Sequence, residues 1–271
     1  MSNLDPAESG KRAAAFAAVA DHLNSSVNSI GVGSGSTVEY AVTAIVEYAK
    51  SNNRHFLCVP TSYQSRLLIT KNRPYLELSD LEECPILDLD IDGADECDVD
   101  LNCIKGGGAC MLQEKIVASA SKKFIVIADS RKDSDELGQQ WKKGIPIEVL
   151  PFAHTTVACQ LKKIMEDSSP ILRMAKNKAG PVVTDNGMFV IDWECGRLKP
   201  EKVQKMNELV SLIPGVVETG LFVAMADAAY FGGNDGTVKR RNRTKSRDNY
   251  GEQASNLQKH SHQNEKINTG E

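Results

Sequence analysis

The sequence predicts an α/β protein with a Rossmann-like, open and mostly parallel sheet, helices on both of its faces, and a smaller inserted α+β unit. Three observations support this fold class. Short apolar segments alternate with helical patterns through the first half of the chain. The predicted strands end in turns rich in Gly, Ser, Thr or Asp. Near residue 145 the order changes to two consecutive β-α-β patterns, which is typical of a ferredoxin-like unit.

The composition indicates a globular protein with a basic C-terminal segment. The 271 residues are 41% hydrophobic and carry a formal net charge of −4, which argues against a dedicated nucleic-acid-binding protein. Residues 238–271 hold eight Lys and Arg but four Asp and Glu, so this segment is +4 and the remainder is −8. Because the segment has few apolar residues, we predict a disordered tail there. A localisation signal or a nucleic-acid contact is the alternative.

The cysteines and the first residues favour a cytoplasmic protein. The seven cysteines include no C-x-x-C pair, and residues 1–10 are polar and acidic, unlike a targeting peptide. We therefore expect reduced thiols. The apolar run at residues 13–20 is too short to cross a bilayer, so we expect no membrane partner.

The first predicted elements form an anion site. A helix is expected at residues 11–23, then a strand at 27–32, a Gly/Ser/Thr turn at 31–37 and a helix at 38–50. Free N–H groups, the helix dipole and hydroxyls would meet at this turn. Ser36 stands where a dinucleotide motif needs its third glycine, so a monophosphate fits better. A tight structural turn is the alternative.

The next predicted strand, at residues 55–59, ends in a second hydroxyl-bearing turn, Pro60-Thr61-Ser62. A short helix is expected at 62–70. The hydroxyls of this turn are an N-cap or a wall of the same cleft.

The central stretch carries the predicted chemistry. An apolar strand at residues 86–91 stops at Asp92-Gly93, a strong turn signal. Ligands of open α/β sheets sit beyond the carboxyl ends of the strands. Carboxylates, an amine and unhindered glycine N–H groups at such an edge can move protons and hold an oxyanion. The residues concerned are Asp92, Asp95, Lys105, Gly106, Gly107, Gly108 and Glu114.

Neighbouring patterns leave alternatives open. Asp88-x-Asp90-x-Asp92-Gly93 resembles the start of a calcium loop, but Val99 replaces the required glutamate, so we expect no metal. A helix is predicted at 111–121, where Glu114 could instead be a surface acid favoured by the helix dipole. A strand at 122–128 precedes Lys132, which neutralises a phosphate or is solvated.

The second half predicts the inserted unit. The expected elements are a strand near 147–150, a helix at 155–166, a hairpin at 182–193 that turns at 185–187, a helix at 201–212 and a strand at 216–222. We assign residues 1–144 to the catalytic domain, 145–222 to the small α+β domain, 223–237 to a return into the first sheet and 238–271 to the tail.

Several of these motifs together resemble those of type A ribose 5-phosphate isomerases, and the animal members most. The similarity runs in order from about residue 11 to residue 236. The segments that carry it are Gly31–Thr37, Val59-Pro60-Thr61, Asp92–Glu96, Lys105–Gly108 with Gln113-Glu114-Lys115, Phe124–Asp129, Pro181–Gly187 and Ile213–Val217. Ser34 departs from the threonine of many members but keeps the hydroxyl.

The resemblance implies an aldose–ketose isomerase of the non-oxidative pentose phosphate pathway. It would interconvert ribose 5-phosphate and ribulose 5-phosphate through an enediolate, without metal or organic cofactor. The implied roles are Glu114 as the base, Asp92 and Asp95 in ring opening and hydroxyl proton transfer, and Lys105 with the glycine N–H groups as the oxyanion site. The implied phosphate site comprises Lys11, Ser34, Gly35, Ser36, Thr37 and Lys132.

The resemblance also implies a homodimer or a dimer of dimers, with a small pentose phosphate as ligand. Two other functions stay open. A sugar-phosphate sensor of the same fold needs the phosphate loop but not the acidic and basic cluster. An amino-sugar-phosphate isomerase or deaminase is the third possibility.

Overall fold

The computed structural model describes residues 5–243, whose strands form three sheets. The strands are β1 Ser29–Val32, β2 Phe56–Pro60, β3 Leu76–Leu78, β4 Leu89–Gly93, β5 Glu96–Cys97, β6 Cys103–Ile104, β7 Phe124–Asp129, β8 Ile145–Val149, β9 Ser169–Leu172, β10 Phe189–Glu194, β11 Val216–Thr219, β12 Leu221–Phe222, β13 Ala228–Gly232 and β14 Val238–Asn242. The helices are α1 Pro6–His22, α2 Ser36–Ser51, α3 Tyr63–Lys71, α4 Met111–Ser119, α5 His154–Ile164 and α6 Pro200–Ser211.

The large sheet has the order β14-β13-β7-β4-β1-β2-β3. Neighbouring strands are parallel except β13 and β14, which are antiparallel. The chain leaves β1 toward β2 and returns on the other side of β1 to form β4. A crevice therefore opens between the carboxyl ends of β1 and β4, the position at which such sheets bind ligands. This architecture confirms the predicted fold class.

Helix α1 begins five residues earlier than predicted. Asp5 is its N-cap and accepts a hydrogen bond from the N–H of Ala7 at 3.1 Å, and Pro6 occupies the first helical position. Both are strong start signals. The helix buries its small side chains Ala14, Ala15 and Ala18 in the main core. Their size lets α1 lie close to the sheet.

The inserted unit has the predicted β-α-β-β-α-β order. Its four-stranded sheet runs β11-β8-β10-β9, and all neighbours are antiparallel. Helices α5 and α6 contribute Leu161 and Val203 to a separate core around the fully buried Trp193. This topology is that of a ferredoxin-like unit. The exact domain boundaries stay predictions.

The predicted hairpin at 182–193 is wrong in its first strand. The N–H of Thr184 does donate to the carbonyl of Met188 at 2.9 Å, so the turn exists. Residues 182–184 do not form a strand, however, and β10 pairs with β9 instead. A turn signal fixes only its own backbone, whereas the pairing of β10 is decided by distant residues.

The predicted strand at 216–222 is two strands in different sheets. Strand β11 belongs to the inserted unit, and β12 pairs with β6. The break falls at Gly220, where an added Cβ would lie 2.3 Å from the carbonyl oxygen of Lys105. The close approach allows the Lys105 N–H to donate to the Gly220 carbonyl at 2.8 Å.

The predicted tail begins too early, because residues 238–242 form the edge strand β14. Its cations have acidic partners: Lys239 and Arg241 contact Asp133 at 2.8 and 2.7 Å, and Arg240 contacts Asp21 at 3.0 Å. Pairing with β13 and these contacts order a segment that composition alone assigns to the tail. The remainder of the predicted tail, from residue 244, lies outside the described residues. Among residues 5–243, no helix has the length and apolar character that a membrane crossing requires.

The packing of α1 on β13 predicts an unusual substitution effect. Gly10 lies against Gly232, and a Cβ on Gly10 would lie 2.5 Å from the Gly232 carbonyl oxygen. In an ordinary helix interior, Gly→Ala stabilises by about 0.5–1 kcal/mol. Here we expect Gly10→Ala to destabilise by roughly 1–3 kcal/mol, since backbone must move. Urea unfolding measures it, with the exposed Ala20→Gly giving the propensity scale. A stabilised Gly10→Ala protein would contradict this packing.

Candidate active site

A cavity of about 340 Å³ opens at the carboxyl ends of β1 and β4. Twelve of the thirteen predicted site residues line it, and Asp92 lies beneath it, fully buried. The lining comprises Lys11, Ser34, Gly35, Ser36, Thr37, Gln64, Gly93, Ala94, Asp95, Lys105, Gly106, Gly107, Gly108, Cys110, Glu114, Ala128, Asp129, Arg131 and Lys132. The sequence therefore predicts most of the lining of the cleft.

The floor of the cleft is a buried ionic cluster centred on Lys105. Its Nζ lies 2.9 Å from Oδ2 of Asp92 and 3.2 Å from Oε2 of Glu114, and it donates to the Gly93 carbonyl. All three charged side chains are at most 6% exposed. They come from the end of β4, the end of β6 and the first turn of α4, so three elements must meet for the cluster to form.

Asp92 is held by the backbone of the neighbouring turn. Its Oδ1 accepts hydrogen bonds from the N–H groups of Ser34 at 2.9 Å and Gly93 at 2.7 Å. Gly33 makes this possible, because a Cβ there would lie 2.0 Å from the same Oδ1. One oxygen is thus fixed by amides while the other faces Lys105. Asp92 supports the cleft from behind and does not line it.

Burial and mutual charge shift the protonation of this cluster. The pKa of Glu114 is raised to about 8, mainly by burial and then by the Asp92 carboxylate, with Lys105 opposing both. Burial by itself would lower the pKa of Lys105, but Asp92 and Glu114 outweigh it and raise that pKa above its ordinary value. Lys105 therefore stays cationic, and Glu114 can exchange a proton near neutral pH.

The three glycines form one wall of the cleft. The N–H of Gly107 donates to Oδ2 of Asp95 at 2.7 Å, and a Cβ on Gly107 would lie 2.5 Å from Oδ1 of the same residue. Gly106 has φ +99°, which favours glycine. Burial raises the pKa of Asp95, while the Gly107 N–H and Lys105 oppose the rise. Gly108 lines the cleft, and its N–H has no acceptor among residues 5–243.

The N-terminus of α2 forms another wall of the cleft. Gly35, with φ +103°, is its N-cap, and no side chain caps the first turn. Lys11 reaches across from α1 and donates to Oγ of Ser36 at 2.9 Å. The hydroxyl of Ser34 instead contacts Thr61 at 2.9 Å and Ser62 at 2.6 Å. Ser34 therefore braces the loop with its side chain, and the second hydroxyl turn supports the wall from outside.

Sequence reasoning missed several polar residues of the cleft. Gln64, in the first turn of α3, accepts a hydrogen bond from the Gly35 N–H at 2.9 Å with its Oε1. Arg131 is paired with Asp129, its Nε lying 2.7 Å from Oδ1. Arg131 directly precedes Lys132 after the strand predicted at 122–128, so its position at a strand end is a signal for it. Gln64 follows Thr61-Ser62 by two residues but carries no charge that would have marked it.

Comparison with known proteins agrees with this geometry. Residues 57–236 match the family model described as ribose 5-phosphate isomerase A (phosphoriboisomerase A). Ribose-5-phosphate isomerase of Sus scrofa is 51% identical over 244 residues, which cover 89% of this chain and 76% of the relative. The Dictyostelium discoideum protein of the same name is 54% identical over 230 residues, 84% of this chain and 96% of the relative.

Solved structures give the same result. A D-ribose-5-phosphate isomerase in complex with phospho-erythronic acid has a TM-score of 0.80 at 37% identity, and the match covers 88% of this chain and 99% of that one. Ribose 5-phosphate isomerase from Plasmodium falciparum has a TM-score of 0.79 at 32% identity, over 88% of this chain and 100% of that one. The resemblance inferred from the sequence motifs is confirmed.

The contact between Gly33 and Asp92 predicts that a side chain at position 33 lowers the stability of the protein. We expect Gly33→Ala to displace the Asp92 carboxylate, to cost roughly 1–3 kcal/mol of stability and to disturb Lys105. Gly108→Ala is the matched control, because a Cβ there meets no atom within 4 Å. Thermal unfolding of the ligand-free proteins compares the two. Equal melting temperatures for the two variants would show that the close approach at Gly33 is unimportant.

Proposed function

The chain belongs to the ribose 5-phosphate isomerase A family and is an aldose–ketose isomerase, and from this premise we propose how its cleft interconverts ribose 5-phosphate and ribulose 5-phosphate. One observation carries the proposal: a carboxylate with a raised pKa, Glu114, contacts a buried ammonium, Lys105, within a cleft that also has an anion-binding wall. A sensor that only holds a phosphate has no need of that buried pair. The phospho-erythronic acid named in the solved relative's complex is a phosphorylated sugar acid, which resembles this class of ligand.

We propose that the phosphate binds at the wall formed by the start of α2. The N–H groups of Ser36 and Thr37, the helix dipole and the Lys11 ammonium converge there. Lys132 and Arg131 line the same cleft and supply further positive charge. The phosphate does not react, so its role is to place the reacting carbons against Glu114.

Glu114 moves the proton. In the open-chain aldose, the carboxylate takes the proton from C2 and returns it to C1, while the proton of the C2 hydroxyl passes to the C1 oxygen, which converts the aldose into the ketose. The negative charge that develops in between resides on the oxygens of C1 and C2. A positioned base of this kind contributes roughly 10²–10⁴-fold in rate. Its raised pKa suits a group that must both take and return a proton near neutral pH.

Lys105 and the glycine loop hold the enediolate oxygens. The ammonium of Lys105 is already fixed by Asp92 and the Gly93 carbonyl, so it needs no reorganisation when negative charge appears. Gly108 lines the same cavity, and we assign its N–H to the same role. Such a donor is worth roughly 3–4 kcal/mol in the transition state.

The two aspartates take different parts in this proposal. Asp95 lines the cleft and can move protons during ring opening and between the hydroxyls of C1 and C2. Asp92 is fully buried and faces Lys105, so it positions that cation rather than touching the sugar. The resemblance had suggested ring opening for both residues.

We also propose that the protein is cytoplasmic and forms a homodimer. All seven cysteines are free thiols, as in proteins of reducing compartments. Phe152 and Leu212, on the inserted unit, are 96% and 81% exposed, and large exposed apolar side chains favour association. Light scattering of the purified protein measures its mass directly, and a monomer at micromolar concentration would reject the dimer.

Removal of the base should separate binding from turnover. We expect Glu114→Gln to lower kcat by about 10²–10⁴-fold and to leave KM within a few fold, because the amide keeps the shape but cannot take a proton. Glu208→Gln, on the exposed face of α6, is the control. A coupled assay for ribulose 5-phosphate gives both constants. Near-normal turnover by Glu114→Gln would reject Glu114 as the base.

The pH profile should report the raised pKa of Glu114. The carboxylate must be ionised to act, and its pKa is about 8, so kcat/KM is expected to fall tenfold per pH unit below that value. The substrate phosphate titrates near pH 6 and is a separate process. An acid limb with its midpoint between pH 4 and 6 would contradict a perturbed Glu114.

A further inference from the structure

The backbone of Arg173, which follows β9 in the inserted unit, forms hydrogen bonds with the segments on both of its sides. Its N–H donates to the Val190 carbonyl at 2.8 Å, and its carbonyl accepts from the Val182 N–H at 2.9 Å. Its guanidinium forms a two-pronged pair with Asp192 of β10, Nε lying 2.8 Å from Oδ2 while Nη2 donates to Oδ1. The side chains are only 16% and 20% exposed. Because a two-pronged pair fixes the plane of the guanidinium, it also fixes the directions of the remaining N–H groups of Arg173.

The third nitrogen of the Arg173 guanidinium, Nη1, contacts the glycine loop that lines the cleft. Nη1 donates to the carbonyl of Gly106 at 3.0 Å and to that of Gly107 at 3.3 Å. Trp141 packs on the same loop, since a Cβ on Gly107 would lie 2.9 Å from its ring. Arg173 itself does not line the cleft. It therefore contacts two carbonyl groups of the loop without bordering the cavity that the loop lines.

Peptide geometry connects these carbonyl contacts to the N–H groups of the same loop. In a trans peptide, the C=O and the following N–H point in opposite directions. The Gly106 carbonyl shares a peptide group with the Gly107 N–H, and the Gly107 carbonyl shares one with the Gly108 N–H. A cation on the two carbonyls therefore directs the two N–H groups away from itself. It also polarises them, which strengthens the hydrogen bonds that they donate.

We propose that Arg173 is a positioning residue for the isomerisation, acting through the Gly107 and Gly108 N–H groups. Gly107 then orients Asp95, to which it donates at 2.7 Å, and Gly108 receives the enediolate oxygen. Asp192 holds Arg173 in place. The inserted unit thus supplies a part of the oxyanion site without touching the substrate. The assignment rests on the proposed function for the identity of the oxyanion.

The test uses variants that replace the guanidinium of Arg173 or release it from Asp192. Arg173→Lys keeps the charge, but a single ammonium cannot form the bidentate pair with Asp192 and also contact both carbonyls. Arg173→Gln removes the charge. Asp192→Asn releases the anchor and leaves the loop contacts chemically possible. Arg197→Met is the matched control, since Arg197 lies on the same unit in an exposed pair with Glu136 at 3.2 Å.

Two ligands separate the oxyanion site from the phosphate site. Erythronic acid 4-phosphate carries a carboxylate where the enediolate oxygens form, and erythritol 4-phosphate has an alcohol there instead. Calorimetry of both ligands needs no turnover. A wild-type protein without isomerase activity would refute the proposed function, whereas the ratio of the two affinities would still report on Arg173.

We expect both Arg173 variants to lose about 10- to 100-fold in kcat and a similar factor in affinity for the acid, with KM and the affinity for the alcohol within threefold. The expected loss lies below that for deletion of an oxyanion donor, because the N–H groups remain. Asp192→Asn should show a smaller loss of the same pattern and carries the test if the Arg173 variants do not fold. Unchanged kcat, or equal loss of both ligands, would overturn the proposal and leave Arg173 as a structural clamp.

Discussion

The ammonium of Lys105, held between the carboxylates of Asp92 and Glu114, is the interaction on which the rest of the site depends. The three groups lie out of water, and the Lys105 cation compensates the two carboxylates, which disfavour each other's ionised form. Removal of one partner from a buried pair typically costs roughly 3–5 kcal/mol, because an uncompensated charge is left behind. The cluster also sets the protonation of the site, since it keeps the amine charged and raises the pKa of Glu114.

The fold brings these charges together at one edge of a parallel sheet. Asp92 lies near the end of β4, and the anion-binding turn follows β1. These two strands are neighbours at the position where the strand order of the sheet reverses. Gly33 and Gly220 permit the closest backbone approaches around Lys105 and Asp92. The inserted unit contributes as well, through Gly220 and through Arg173 behind the glycine loop. All of the residues that line the cleft belong to the first unit, and the inserted unit supports it from outside.

The sequence was informative where the signal is local. Turns after strands, helix starts and the triple glycine marked the cleft, because the carboxyl ends of parallel strands must share one edge, and the family resemblance added Lys11 to the phosphate site. It could not show that Asp92 lies beneath the cleft, since depth depends on the Gly33 contact. The partner of β10, the break at Gly220 and the ordering of β14 depend on residues far away in the chain. Gln64 and Arg173 form hydrogen bonds with backbone groups of other segments, and no motif marks such contacts.

The central claim is that the ionic cluster holds Glu114 near its titration point in the free protein. Carbon-13 NMR of a protein with labelled glutamate, assigned by Glu114→Gln, measures this titration directly. The account predicts a midpoint near pH 8, moving still higher in Lys105→Met because the opposing cation is lost. A midpoint near 4.5 in the unaltered protein, or no response to the loss of Lys105, would contradict it.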